Sequence, residues 1–114
     1  MPVPSRALKQ EVDDTVDHHF FTQQRWPALA EVEIRWRGSF GYLTALIEQP
    51  GDPDERVPLC RIQYLGDDQD WGFAIYSPTT DTYTDALLHT GAPTGHPTAA
   101  FDTAALVHLA DYTE

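Results

Sequence analysis

Residues 31–47 read Glu31-Val32-Glu33-Ile34-Arg35-Trp36-Arg37-Gly38-Ser39-Phe40-Gly41-Tyr42-Leu43-Thr44-Ala45-Leu46-Ile47. Val32, Ile34 and Trp36 alternate with charged neighbours. Successive side chains of an extended chain point to opposite faces, so the first half of this stretch reads as a half-buried strand. Gly38-Ser39 supplies a short turn, after which Phe40, Tyr42 and Leu46 lie opposite Leu43, Ala45 and Ile47. A strand apolar on both sides belongs near the middle of a sheet, with a helix over one face and a partner or a chain terminus over the other.

Downstream, Gln49-Pro50-Gly51-Asp52-Pro53-Asp54-Glu55-Arg56 combines turn formers with charge and reads as a solvent-exposed hairpin loop. Alternation resumes over residues 57–65, with Val57, Leu59 and Gln63 against Cys60, Ile62 and Tyr64. Gly66-Asp67-Asp68 then turns the chain. Trp71, Phe73 and Ile75 against Gly72, Ala74 and Tyr76 make a fourth strand that ends at Ser77-Pro78, and a fifth is expected near residues 82–88. The sheet therefore spans about residues 31–88, as four to five sequential antiparallel strands.

Helices flank it. Ser5 suits the N-cap, and Leu8, Val12, Val16 and Phe20 form one apolar stripe of an amphipathic helix over about residues 6–22, with Glu11, Asp13, Asp14 and Asp17 outside it. Trp26-Pro27 marks its end, because a residue before proline is pushed out of the α region. Near the C-terminus, Pro97 suits the first position of a helix running to about residue 109, with Phe101, Ala104, Ala105 and Leu109 on its apolar face. No repeat or linker divides the chain, so residues 1–114 are expected to form a single α+β domain, an antiparallel sheet between an N-terminal and a C-terminal helix.

Charge bounds the function. The chain has 18 Asp and Glu against 7 Lys and Arg, a formal net charge of -11. Residues 1–37 hold five basic and six acidic side chains, whereas residues 38–114 hold two and twelve. Such a field repels phosphate backbones and anionic membranes, so direct nucleic-acid or membrane binding is not expected. The lone Cys60 lies in an apolar stretch and reads as a buried thiol. No apolar run approaches the about 18 residues that cross a bilayer, and the start Met1-Pro2-Val3-Pro4-Ser5-Arg6 has no signal-like apolar segment. A cytoplasmic protein is expected.

The histidines and carboxylates are the candidates for chemistry. Asp14 and His18 stand four residues apart on the first helix beside Asp17 and His19, close enough to share a metal. Catalytic zinc nevertheless takes three protein ligands, and no HExxH motif occurs. His89, His96 and His108 could meet in space but bring no nucleophile, and Ser39 lacks the glycine spacing of a nucleophile elbow. His96 suits the N-cap of the last helix. Asp67, Asp68 and Asp70 crowd one turn without the later glutamate of a calcium loop, while Asp81 and Asp85 flank Tyr83 in a strand whose edge they protect by charge. Phe40, Tyr42, Trp71 and Tyr76 on neighbouring strands suggest a base-stacking sheet, but no glycine-aromatic signature with basic residues accompanies them.

Two resemblances arise from these segments. Arg35-Trp36-Arg37-Gly38-Ser39-Phe40-Gly41-Tyr42, Pro58-Leu59-Cys60-Arg61-Ile62-Gln63-Tyr64 and Trp71-Gly72-Phe73-Ala74-Ile75-Tyr76 together resemble a family of small actinobacterial proteins of unknown function, over residues 31–110. That likeness implies no activity. Trp71 to Leu109, with Thr90-Gly91, Gly95-His96-Pro97-Thr98 and an alanine-rich helix, is similar in outline to HicB-type antitoxins. This likeness implies neutralisation of a toxin by binding it; the N-terminal helix departs from the pattern.

The function expected from the residues is non-catalytic. An acidic binding or accessory module would use Asp67, Asp68, Asp70, Asp81 and Asp85 to recognise a protein with a basic surface, without a cofactor. Homodimerisation through a sheet edge or the aromatic surface is a separate route. The competing expectation is a small metal-dependent hydrolase built from His18, His19, His89, His96 or His108 with nearby aspartates.

Overall fold

The computed structural model describes residues 2–110. Helix α1 (Arg6–Gln23) is followed by strands β1 (Leu29–Arg37), β2 (Phe40–Ile47), β3 (Glu55–Asp67), β4 (Asp70–Ser77) and β5 (Thr82–Asp85). A two-residue strand β6 (Thr94–Gly95) then leads into helix α2 (Pro97–His108). The expected α+β architecture is therefore present. The first five strands form an antiparallel meander in the order β1-β2-β3-β4-β5, and β6 pairs with β4.

Local chemistry explains the helix ends. The Ser5 hydroxyl accepts the Leu8 N–H at 3.1 Å and so satisfies one of the free amides of the first turn. At the other end Gln24 takes a left-handed conformation, φ 49°, which stops α1 before Trp26-Pro27 is reached. Leu8, Val12 and Val16 are buried, as their spacing requires. They join one core with Val32, Leu43, Ile47, Leu59, Ile62, Trp71 and Phe73 from the sheet and Phe101, Ala104 and Ala105 from α2. Both helices lie on the same face of the sheet and touch each other. No helix of the described residues is long and apolar enough to cross a membrane.

The third strand departs from simple alternation. Leu43 pairs with Cys60 but Thr44 pairs with Pro58, so Leu59 is an extra residue in a β-bulge. Leu59 and Cys60 are both fully buried as a result, although strict alternation would place them on opposite faces. Pro58 falls at the bulge, a position where proline is tolerated in sheets. The connector before α2 also contains more order than its turn-rich composition suggests, because Thr94 and Gly95 pair with Gly72 and Trp71. The fifth strand ends at Asp85.

Cys60 touches α2 through a long contact from Sγ to the Ala100 carbonyl, 3.8 Å. Burial pushes its thiol far above the ordinary value, and the thiolate is the form that reacts. Iodoacetamide is therefore expected to spare Cys60 in native buffer and to label it only as denaturant unfolds the chain. Mass spectrometry across a urea series checks this; native labelling at the rate of a free thiol would show that the site is open.

Candidate functional site

The face of the sheet turned away from the helices carries the alternate residues of each strand, and register joins them into rows. Arg35 pairs with Tyr42, Tyr42 with Arg61, Arg61 with Ala74 and Ala74 with Asp85, so one row crosses all five strands of the meander. A second row runs Arg37, Phe40, Gln63 and Gly72. Glu33, Thr44 and Pro58 make a third. Four of the chain's 7 cations, Arg35, Arg37, Arg56 and Arg61, thus share a single surface.

Its side chains converge. Flat strands would hold β2 and β5 roughly 14 Å apart, three inter-strand spacings. The rings of Tyr42 and Tyr83 nevertheless meet edge-on at 5.3 Å. Between these strands β4 offers Gly72 and Ala74, the smallest residues of the open face. Tyr76 also meets Tyr83 at 5.3 Å, and Phe40 lies 6.4 Å from Tyr42. The Arg61 guanidinium stands over this cluster, 4.6 Å from the Phe40 ring centre and 5.8 Å from that of Tyr83, within cation–π range.

Two hollows flank the cluster. One of about 430 Å³ lies between Arg35 and Arg56, floored by Tyr42, Thr44, Pro58 and Tyr83. The other, about 290 Å³, lies between Arg61, Gly72, Asp85 and Thr94. Burial pushes the Tyr83 phenol above its ordinary value, against the pull of nearby Arg35. A hydrogen bond to Asp81, 2.6 Å, pushes the Tyr76 phenol the same way. Both tyrosines are protonated near neutral pH, so Tyr83 can donate a hydrogen bond and Tyr76 already gives its own to Asp81.

Sequence reasoning missed this arrangement. It grouped Phe40, Tyr42, Trp71 and Tyr76 in a sheet without a glycine-aromatic signature carrying basic residues, whereas Trp71 is buried in the core on the helix-covered face. Pairing corrects this by setting Arg35 and Arg61 on either side of Tyr42. The signal was present in the alternation of β1 and β2; the bulge in β3 hid the rest.

The expected acidic surface is dispersed. Asp67, Asp68 and Asp70 are exposed in the β3–β4 turn, where the Asp67 carboxylate accepts the Gln69 N–H at 2.8 Å. Asp81 lies in the β4–β5 turn, beyond the other end of β4, and Asp85 ends β5 on the open face. An eight-residue strand, roughly 25 Å, separates the first three from Asp81.

The histidines do not converge. His18 is exposed, and Asp14 bonds Gln10 at 3.0 Å. His19 Nε2 meets both oxygens of Asp102, at 2.9 and 3.0 Å, and so clamps α1 to α2; Asp102 went unremarked in the sequence. The His89 backbone N–H donates to Thr103, and His108 Nε2 donates to the Tyr76 carbonyl at 2.9 Å. Among the described residues no group of three His, Cys, Asp or Glu side chains is placed to hold a metal ion.

His96 does take the N-cap position. Its Nδ1 accepts the Thr98 N–H at 3.2 Å, which requires that nitrogen to be unprotonated. Burial holds His96 below its ordinary value, with His19 acting in the same sense, and burial lowers His108 as well. A histidine lowered in the folded state binds fewer protons there than in the unfolded chain. Its contribution is complete above the unfolded value of 6.5 and is lost as pH falls through the folded one. Urea midpoints are expected to fall between about pH 7.5 and 5.5, and His96→Asn, which keeps a capping side chain, should flatten that fall. Asp13 and Asp17, raised by burial, act in the opposite sense but at lower pH, from 3.8 upward. A slope unchanged in the asparagine variant would exclude His96 as its source.

Comparison of the chain with protein-family models, curated proteins and solved structures returns no match.

Proposed function

We propose that this chain is a non-catalytic protein-binding module whose contact surface is the open face of its sheet. The row Arg35-Tyr42-Arg61, with Tyr83 folded against it, carries the reading. Tyrosine and arginine dominate the energetic centres of protein interfaces, because each buries a large surface and still offers a directional polar group. Here they stand on paired strands and against one another, so little side-chain freedom remains to be lost on binding. Neither flanking hollow is lined by histidine, cysteine or serine.

The packing of the rings supports protein over nucleic acid. The rings of Phe40, Tyr42, Tyr76 and Tyr83 contact each other edgewise or tilted, and Arg61 covers Phe40, which leaves no row of free ring faces for bases. The dispersed aspartates offer a basic partner only small separate groups, whereas the open face is continuous.

A photo-crosslinking phenylalanine analogue at position 42, compared with one at exposed Gln10, tests the reading. The expected result is a protein adduct at position 42 that weakens as salt rises, and none at position 10. Equal adducts at both positions, or an adduct at position 10 alone, would overturn it, as would a nucleic-acid adduct at position 42.

A further inference from the structure

We infer that the partner presents a short acidic segment, with aspartate or glutamate side chains that pair with Arg35, Arg37 and Arg61. This rests on the open-face reading above and names the chemistry of its occupant. The chain has 18 carboxylates for 7 cations, yet among the described residues Arg56 alone of the Lys and Arg side chains makes an ion pair. Arg56 holds Glu33 through Nη1 at 2.7 and 3.0 Å. Arg35, Arg37 and Arg61 have no carboxylate within ion-pair distance among the described residues. Three guanidinium groups without a carboxylate partner, gathered on one face of an otherwise strongly negative molecule, are complementary to a negative partner.

Spacing narrows the fit. Arg35 and Arg37 point the same way two residues apart on β1, roughly 7 Å, which is also the repeat of same-side residues in any extended chain. Acidic side chains at alternate positions of an extended segment lying along β1 would meet both. Arg61 stands two strands inward from Arg35, roughly 10 Å, where a third carboxylate can reach it over Tyr42.

The ends of the sheet limit the length. Asp67, Asp68 and Asp70 guard one end, and Asp52, Asp54 and Asp81 the other. The distance between them exceeds the screening length of about 8 Å at physiological salt, so the acidic ends do not cancel the positive centre but do repel a polyanion that runs past it.

Panning a displayed library of random dodecapeptides against the folded protein provides the test, with circular dichroism confirming the fold of each variant. The expected outcome is enrichment of peptides with Asp or Glu at alternate positions. These should bind at least about tenfold more weakly to an Arg35→Glu, Arg37→Glu variant and also lose affinity for Tyr42→Ala. Peptides without an acidic bias that depend on Tyr42 but not on the arginines would overturn the acidic inference and leave the open-face reading standing. Peptides indifferent to all three substitutions, or no selected peptide at all, would overturn both. Displacement of the acidic peptides by oligo(dT) at equal concentration would overturn the protein partner in favour of a nucleic acid.

Discussion

Phe101→Ala is expected to lower the free energy of unfolding by about 3–5 kcal/mol, a large share of the 5–15 kcal/mol typical of a domain. Phe101 has no exposed surface and sits where α1, α2 and the sheet meet. Its ring contacts Phe20 at a centroid distance of 6.4 Å and the edge of His19 at 6.2 Å. Truncation would leave a cavity lined by both helices, and the His19–Asp102 clamp beside it would lose the packing that holds it in place. Urea denaturation measures the effect, and Phe101→Leu should recover much of it by refilling the space. A loss under about 1 kcal/mol would mean that the helices close the gap by moving, and that their packing is looser than the structure implies.

Gly41→Val is expected to destabilise the protein by about 1–3 kcal/mol through overpacking. A side-chain carbon at position 41 would lie 2.8 Å from the Trp36 ring, closer than such contacts occur. Gly41 pairs with Trp36 on one side and Ile62 on the other, so the backbone cannot retreat without breaking ladder bonds in the middle of the sheet. The ring would have to move, and it packs against Trp71 at 5.8 Å. The milder Gly41→Ala provides a cycle: combined with Trp36→Leu, which vacates the space, its cost should shrink well below its cost alone. Additive costs would show that Trp36 is not the obstacle.

Different kinds of information govern positions 101 and 41. That Phe101 faces inward follows from its place on the apolar side of a predicted helix together with Ala104 and Ala105. That Gly41 must be small follows from the β1–β2 register, which brings the Trp36 ring over it. The same division runs through the candidate site. Tyr42 and Arg35 were each assignable to a strand, but their partnership with Arg61 passes through β3, where the extra Leu59 breaks the period. The five aspartates illustrate the converse: they are near in sequence, yet an intervening strand carries Asp67, Asp68 and Asp70 to the far end from Asp81.

By itself the sequence determined what is local: helix α1 from the four-residue spacing of Leu8, Val12, Val16 and Phe20, strands β1, β2 and β4 from alternation, and the His96 cap before Pro97. Side-chain direction in a helix or strand depends only on residue spacing, so these elements were legible without a fold. The tertiary structure alone decided the β3 bulge, the pairing of β6 with β4, the His19–Asp102 clamp across 83 residues and the contact of the Tyr83 ring with that of Tyr42. Each depends on how two distant segments align, and no local period encodes that alignment. The surface that gathers four arginines on a chain of net charge -11 belongs to this second group.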